Sequence, residues 1–239
     1  MELKEKLHEN VYYYTNVLED PAALVNAFED TENNPGINEV VPVYKNWESS
    51  SSDGVNFGRK KDVRMENLDK LDPENREKAE YIINTVQGAI KKVAEAFVKD
   101  KGLDIVPNVS PFVGVAKYLT GCEMGAHFDA QAGDETLRYS IILYLNDDYE
   151  GGEISFIIRE PDLRLPENGK YRPLSDINAP ENKDKVDFYL KPKAGEALIF
   201  PSVAPYRHQV HIMKSGAKYI IPGFILSDGY VPEGYDKSM

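Results

Sequence analysis

Thiol and imidazole metal ligands are scarce in this chain: its 239 residues include one cysteine and four histidines. The lone Cys122 closes no internal disulfide, which fits a reducing compartment, and it excludes a multi-cysteine zinc site. Long apolar runs are also lacking, since none approaches the roughly 20 residues that span a bilayer. The opening MELKEKLHEN has no apolar segment behind its charges, so no secretory signal is expected. These absences predict a soluble, cytoplasmic protein with no membrane partner. Basic residues are outnumbered, with 28 Lys and Arg against 40 Asp and Glu, and a formal net charge of −12 repels a phosphate backbone. Nucleic acid is therefore not an expected partner. The basic run RKKDVR at 59–64 reads as a solvated face.

What is present fits a globular fold, with 41% hydrophobic and 28% charged residues. VYYYTNVL at 11–18 reads as a strand that runs into a helix, with Asp20 as cap and Pro21 in the first turn. That helix is expected from Ala22 to about Glu29. A second helix opens at Asp72 and Pro73, repeats apolar residues every three or four positions from Ala79 to Phe97, and closes at Gly102. Between the helices, NWESSSSDGVNFG at 46–58 has the composition of an exposed loop. From about residue 105 the pattern becomes short Val-, Ile-, Tyr- and Phe-rich runs: VSPFVGVAKYL, RYSIILYLN, GGEISFII, EALIFP, HQVHIM and KYIIPGFIL. Helices placed before the strands, and not alternating with them, predict an α+β protein: a mainly β sandwich or barrel with helices packed on one face. One domain over 1–239 is expected, with a support region at 1–104 and a β core at 105–230. The core is interrupted at 159–185 by a charged, proline-containing insertion, read either as a lid over a substrate groove or as a surface insertion.

In GAHFDAQAG, His127 and Asp129 stand two apart, and side chains two apart on a strand share a face. Two imidazoles and one carboxylate on one side of a cation leave coordination positions open, and iron(II) is the usual metal for that set. The third ligand is His208 or His211, in PSVAPYRHQVHIM. Strand alternation puts His208 with Val210 and Ile212 on an apolar inward face, which favours His208 and leaves His211 half-exposed on the outer side. KSG at 214–216 reads as a tight turn that folds the next strand back beside the first. Lys218 follows it at the head of the apolar run YIIPGFIL, where a fixed cation suits the far end of a dicarboxylate.

HFD at 127–129, RYSIILYLND at 138–147, YEGGEISF at 149–156, KPKAGEALIFPS at 191–202 and HQVHIMKSGAKY at 208–219 together resemble the prolyl 4-hydroxylase-like branch of the iron(II)- and 2-oxoglutarate-dependent dioxygenases. The resemblance covers about residues 115–226. It implies a double-stranded β-helix, a jelly-roll barrel, with iron held by His127, Asp129 and His208 as the catalytic centre. Lys218 would pair with the distal carboxylate of 2-oxoglutarate, and Tyr118 and Tyr144 would face this cosubstrate, with core packing as their other reading. Arg138 falls on a recurrent position of the family and suits a structural role. The implied cofactors are Fe(II), 2-oxoglutarate and O2, with ascorbate as a further one. The implied reaction hydroxylates an unactivated C–H bond while 2-oxoglutarate becomes succinate and carbon dioxide. The expected substrate is a prolyl residue in a peptide or protein. The alternatives are a free amino acid or other small molecule as substrate, or a non-catalytic jelly-roll metal-binding protein. The sequence departs from the family pattern at Ile212, where Pro is frequent, in the long insertion, and in the front third.

Overall fold

The structure, a computed structural model, describes residues 1–30, 48–52, 55–63, 68–69, 71–130, 136–159 and 186–227. Residues 160–185 of the insertion lie outside them. Strands β1 (Glu2–His8) and β2 (Val11–Thr15) lead into helix α1 (Pro21–Asp30). A hairpin of β3 (Glu48–Ser52) and β4 (Val55–Val63) precedes the long helix α2 (Pro73–Lys101). There follow β5 (Asn108–Val109), β6 (Val113–Leu119), β7 (Met124–His127), β8 (Leu137–Tyr144), β9 (Glu150–Gly151) and β10 (Ile154–Ile157). The last strands are β11 (Phe188–Leu190), β12 (Ala197–Pro201), β13 (Arg207–Val210), β14 (Met213–Ser215) and β15 (Ala217–Leu226).

Both helices start where side chains can satisfy their first amides. Asp20 Oδ1 accepts from Ala23 N–H at 2.9 Å, and Asp72 Oδ1 accepts from Asn75 N–H at 3.1 Å. At the far end of α2, Gly102 adopts a left-handed φ of 71° that a Cβ would disfavour. Its N–H donates to Lys99 O at 3.0 Å, and Leu103 N–H donates to Val98 O at 2.9 Å, so the last turn is closed.

The large sheet has the order β1-β2-β12-β8-β15-β6-β4-β3, with β5 beside β15; the small sheet is β11-β10-β13-β7, and β14 pairs with β9. Alternation along the strands sorts the apolar side chains into two cores. Tyr12, Tyr14, Val113, Val115, Ile141, Leu143, Ala197, Ile199 and Ile221 face α1 and α2. Their neighbours Tyr13, Ala116, Tyr118, Ile142, Tyr144, Leu198, Phe200 and Ile220 pack instead with Ile154, Phe156 and Val210 of the small sheet. Two facing antiparallel sheets, one of them backed by helices, form the double-stranded β-helix. Among the described residues no helix is long and apolar enough to cross a membrane.

Two expectations change. The stretch 46–58, read as a loop, contains β3 and most of the first half of β4; their serines and glycine suit a loop in isolation, and pairing of β4 with β6 overrides that preference. The chain after KSG does not fold back beside β13: β14 joins β9, and β15 crosses to the large sheet between β6 and β8. The charged N-terminal segment forms β1. The hairpin it makes with β2 is tied down by Glu196, which accepts from Lys4 Nζ at 2.8 Å, from Lys193 N–H at 2.6 Å and from the Tyr13 hydroxyl. Burial alone would raise the Glu196 pKa, but these donors hold it below the ordinary carboxylate value.

Helix α2 lies close against the sheet at Gly223, where a Cβ would come within 2.6 Å of Ile90 Cδ1 and 2.9 Å of its Cγ1. Gly223→Val is expected to destabilise the protein by about 1–3 kcal/mol through overpacking. Chemical denaturation should show part of that loss recovered in Gly223→Val/Ile90→Ala, because the second change opens the space that the first one fills. Equal stability of the single and double variants would place the strain elsewhere.

Candidate metal centre

The small sheet brings the two distant parts of the constellation together. His208 on β13 and His127 on β7 are direct cross-strand partners, and their ring centroids lie 4.4 Å apart. Strand β7 ends at His127, so Asp129 follows it in the turn and not on the strand. It still reaches back, with Oδ1 3.3 Å from His127 Nε2 and Oδ2 3.7 Å from His208 Nε2. One ligand atom from each of the three residues lies within 4.8 Å of the others, a group that could hold a metal ion.

Both rings are oriented from behind. His127 Nδ1 is 2.7 Å from Gly125 O, and His208 Nδ1 is 3.3 Å from Tyr206 O. Each Nδ1–H donates to its carbonyl, which leaves the Nε2 lone pair directed at Asp129 and fixes the tautomer a metal requires. Burial lowers the His208 pKa to about 4, although Asp129 pulls it upward, so the ring is neutral at pH 7. Burial works to raise Asp129, but His208 and then His127 hold it well below the ordinary carboxylate range. A neutral imidazole and an ionised carboxylate are the protonation states that coordinate a cation. Phe200 and Phe156 wall the His208 ring at 4.6 and 5.7 Å between centroids, which limits water on that side.

His211 stands apart from this group, and the expectation of a half-exposed outer residue is corrected: it is only 3% exposed. His211 keeps to the face of Gln209 and Ser155, opposite His208, and that face is itself buried, with Gln209 and Ser155 both 0% exposed. The His211 Nε2 contacts Ser155 Oγ at 2.8 Å and Gln209 Nε2 at 3.0 Å, while its backbone N–H donates to Glu153 O. It therefore fastens β13 to β10.

Further into the space between the sheets lies Lys218, fully buried on β15 opposite Tyr118 of β6. Its Nζ donates to Gly152 O at 2.6 Å. The rings of Tyr144, Tyr118 and Tyr149 surround it, with centroids 5.4, 5.7 and 5.8 Å from Nζ. Burial lowers the Lys218 pKa to about 7, against the raising influence of Glu153. Burial likewise raises both Tyr118 and Tyr144, so their phenols remain protonated donors at neutral pH. Tyr118 OH approaches Met124 Sδ at 3.8 Å. Arg138 lies at the surface, where its Nε donates to Ser227 Oγ at 3.1 Å and joins β8 to the end of β15.

Two residues were not singled out by the sequence reading. Arg207, beside His208, is 6% exposed and places its guanidinium 5.8 Å from the ring of Phe128, between the two candidate ligands His127 and Asp129. Tyr149 sits in the turn before β9, where the strand pattern offered no face to assign. The signal available was an aromatic residue two positions before the paired glycines Gly151 and Gly152.

A family model described as the 2OG-Fe(II) oxygenase superfamily matches residues 113–226. No curated protein matches the chain in sequence. Among solved structures, a Pseudomonas putida prolyl-4-hydroxylase aligns with 15% identity and a TM-score of 0.51, covering 91% of this chain and 92% of its own. A prolyl hydroxylase from Trichoplax adhaerens, in complex with a hypoxia inducible factor oxygen degradation domain peptide fragment, aligns with 15% identity and a TM-score of 0.55, covering 91% and 84%. At that identity both establish likeness of fold. The matched region, 113–226, contains the candidate metal centre, Lys218 and the tyrosines around it, so the residues of the candidate site lie within the likeness to the 2OG-Fe(II) oxygenase superfamily.

Proposed function

We propose that the protein is an oxygenase that hydroxylates an unactivated C–H bond, with a prolyl residue in a peptide or protein as its substrate. The observation that carries this reading is the open set of His127, Asp129 and His208, with both Nε2 atoms turned toward the carboxylate. Two nitrogens and one oxygen suit iron(II) and leave positions for other ligands. Iron(II) with 2-oxoglutarate and O2 supplies the oxidising power for hydroxylation, as 2-oxoglutarate becomes succinate and carbon dioxide.

The chain's own residues do the rest. His127, Asp129 and His208 hold the metal. Lys218 neutralises the distal carboxylate of 2-oxoglutarate, and Tyr118 and Tyr144 orient that cosubstrate from the large sheet. Phe156 and Phe200 exclude water beside His208. Ascorbate serves as an external reductant that keeps the iron in its ferrous state. A peptide substrate is favoured by the Trichoplax adhaerens fold neighbour, whose structure contains a peptide fragment.

Iron-loaded protein incubated with 2-oxoglutarate and either proline-rich peptides or free proline provides the test. A gain of one oxygen on the peptides, read by mass and matched by succinate formation, is the expected result. Modification of free proline alone would move the assignment to a small-molecule hydroxylase. If neither is modified while 2-oxoglutarate is consumed, the prolyl assignment fails and the oxygenase remains.

A further inference from the structure

The hydroxyl of Tyr149 is buried and has no hydrogen-bond partner among the described residues, in a residue only 4% exposed. Buried hydroxyls are nearly always bonded, because an unmet one forfeits its hydration without return. A phenylalanine would avoid that cost, so the hydroxyl calls for a partner beyond the described residues, and a bound ligand would supply one.

Its surroundings indicate which partner. A Cβ built on Gly152 would lie 3.4 Å from Tyr149 Cε2 and 3.4 Å from Lys218 Cδ, so the phenol ring and the lysine stem lie side by side over that glycine. Two cations flank the ring, Lys191 Nζ 4.4 Å and Lys218 Nζ 5.8 Å from its centroid. The turn is held in place: Lys191 donates to Tyr149 O, and a Cβ on Gly216 would be 3.1 Å from Tyr149 Cα. Burial, followed by Asp147 and Glu153, raises the phenol pKa, so the group is a donor and not an anion. A neutral donor on a ring that lies close to both Lys191 Nζ and Lys218 Nζ suits an anionic acceptor.

We propose that Tyr149 is a further cosubstrate-binding residue, whose hydroxyl donates to the distal carboxylate of 2-oxoglutarate and sets selectivity for a 2-oxo dicarboxylate over a 2-oxo monocarboxylate. This rests on the reading of Lys218 given above. The hydroxyl supplies direction where the ammonium supplies charge: a flexible lysine tolerates many anion positions, whereas a phenol on a rigid ring accepts few.

Tyr149→Phe removes one oxygen and keeps the ring. Calorimetric titration of the iron-loaded variant under anaerobic conditions should show 2-oxoglutarate binding weakened roughly tenfold or more, as for loss of a hydrogen bond to a charged group. Binding of 2-oxobutyrate, which lacks the distal carboxylate, should not change. In thermal melts without any 2-oxo acid the variant should equal or exceed the parent, since an unmet hydroxyl is gone, while the stabilisation conferred by 2-oxoglutarate shrinks. A dissociation constant for 2-oxoglutarate within about twofold of the parent overturns the proposal. So does an equal loss for both acids, or a lower melting temperature without ligand, which would mark a structural bond. Lys218→Met, titrated in parallel, separates the two readings. If it also retains 2-oxoglutarate affinity, the assignment of Lys218 fails; if it alone loses affinity, only that of Tyr149 fails.

Discussion

Replacing His208 by alanine should abolish iron(II) binding, whereas replacing His211 by alanine should leave iron affinity within about tenfold of the parent. The difference follows from where each ring points. His208 Nε2 faces Asp129, and its loss leaves two ligands of the three. His211 Nε2 instead faces Ser155 and Gln209. Its removal takes a partner from two buried polar side chains and is expected to lower stability by roughly 1–3 kcal/mol for each group left unmet. Equilibrium dialysis against iron(II), paired with thermal melts, separates the outcomes: His208→Ala loses metal and His211→Ala loses melting temperature. Retention of metal by His208→Ala with its loss from His211→Ala would reverse the ligand assignment.

Lys218→Met should weaken 2-oxoglutarate binding by about a hundredfold or more while leaving iron binding intact, because a buried charge partner is removed without disturbing the metal ligands. Methionine keeps most of the stem volume. The apoprotein should become more stable, since it no longer buries an ammonium surrounded by aromatic rings. The parent protein carries a pH signature of the same group. Its Lys218 pKa falls from 10.5 to about 7 on burial, so between those values the unfolded chain binds more protons than the folded one. Stability of the apoprotein should therefore rise with pH across that window. Affinity for the dicarboxylate should run the other way, since it prefers the charged lysine that predominates below about 7. Melting curves with and without 2-oxoglutarate across this range would show the two opposed trends in the parent and neither in Lys218→Met.

Local chemistry made much of this molecule readable before any coordinates. Helix α2 announces itself through Asp72, Pro73 and Gly102, each of which acts on the backbone beside it. The core strands β6, β8, β12 and β15 are apolar on both faces because one face meets the helices and the other meets the small sheet. Other elements depend on partners remote in sequence. The serine-rich β3 and the charged β1 lie at opposite edges of the large sheet, where pairing on one side sustains a strand with little intrinsic preference for it. Within the candidate site, parity placed His208 on the inward face but misjudged His211. Alternation assigns a face but not what covers it, and the face His211 shares with Gln209 and Ser155 is buried as well. Tyr149 escaped for another reason, since its orientation is set by a turn whose geometry involves Gly152 and Gly216, far apart along the chain.

The N-terminal hairpin has a practical bearing on handling the protein. Strand β2 is what covers β12, itself the neighbour of the central strand β8, and Tyr13 of that hairpin reaches the inner core and Glu196. Trimming the first fifteen or so residues as a flexible leader would strip the flank of β12 and bare a row of unpaired backbone donors and acceptors. Uncovered apolar strands of this kind recruit other chains, so a shortened variant invites aggregation, and any fusion is better joined away from this end of the chain.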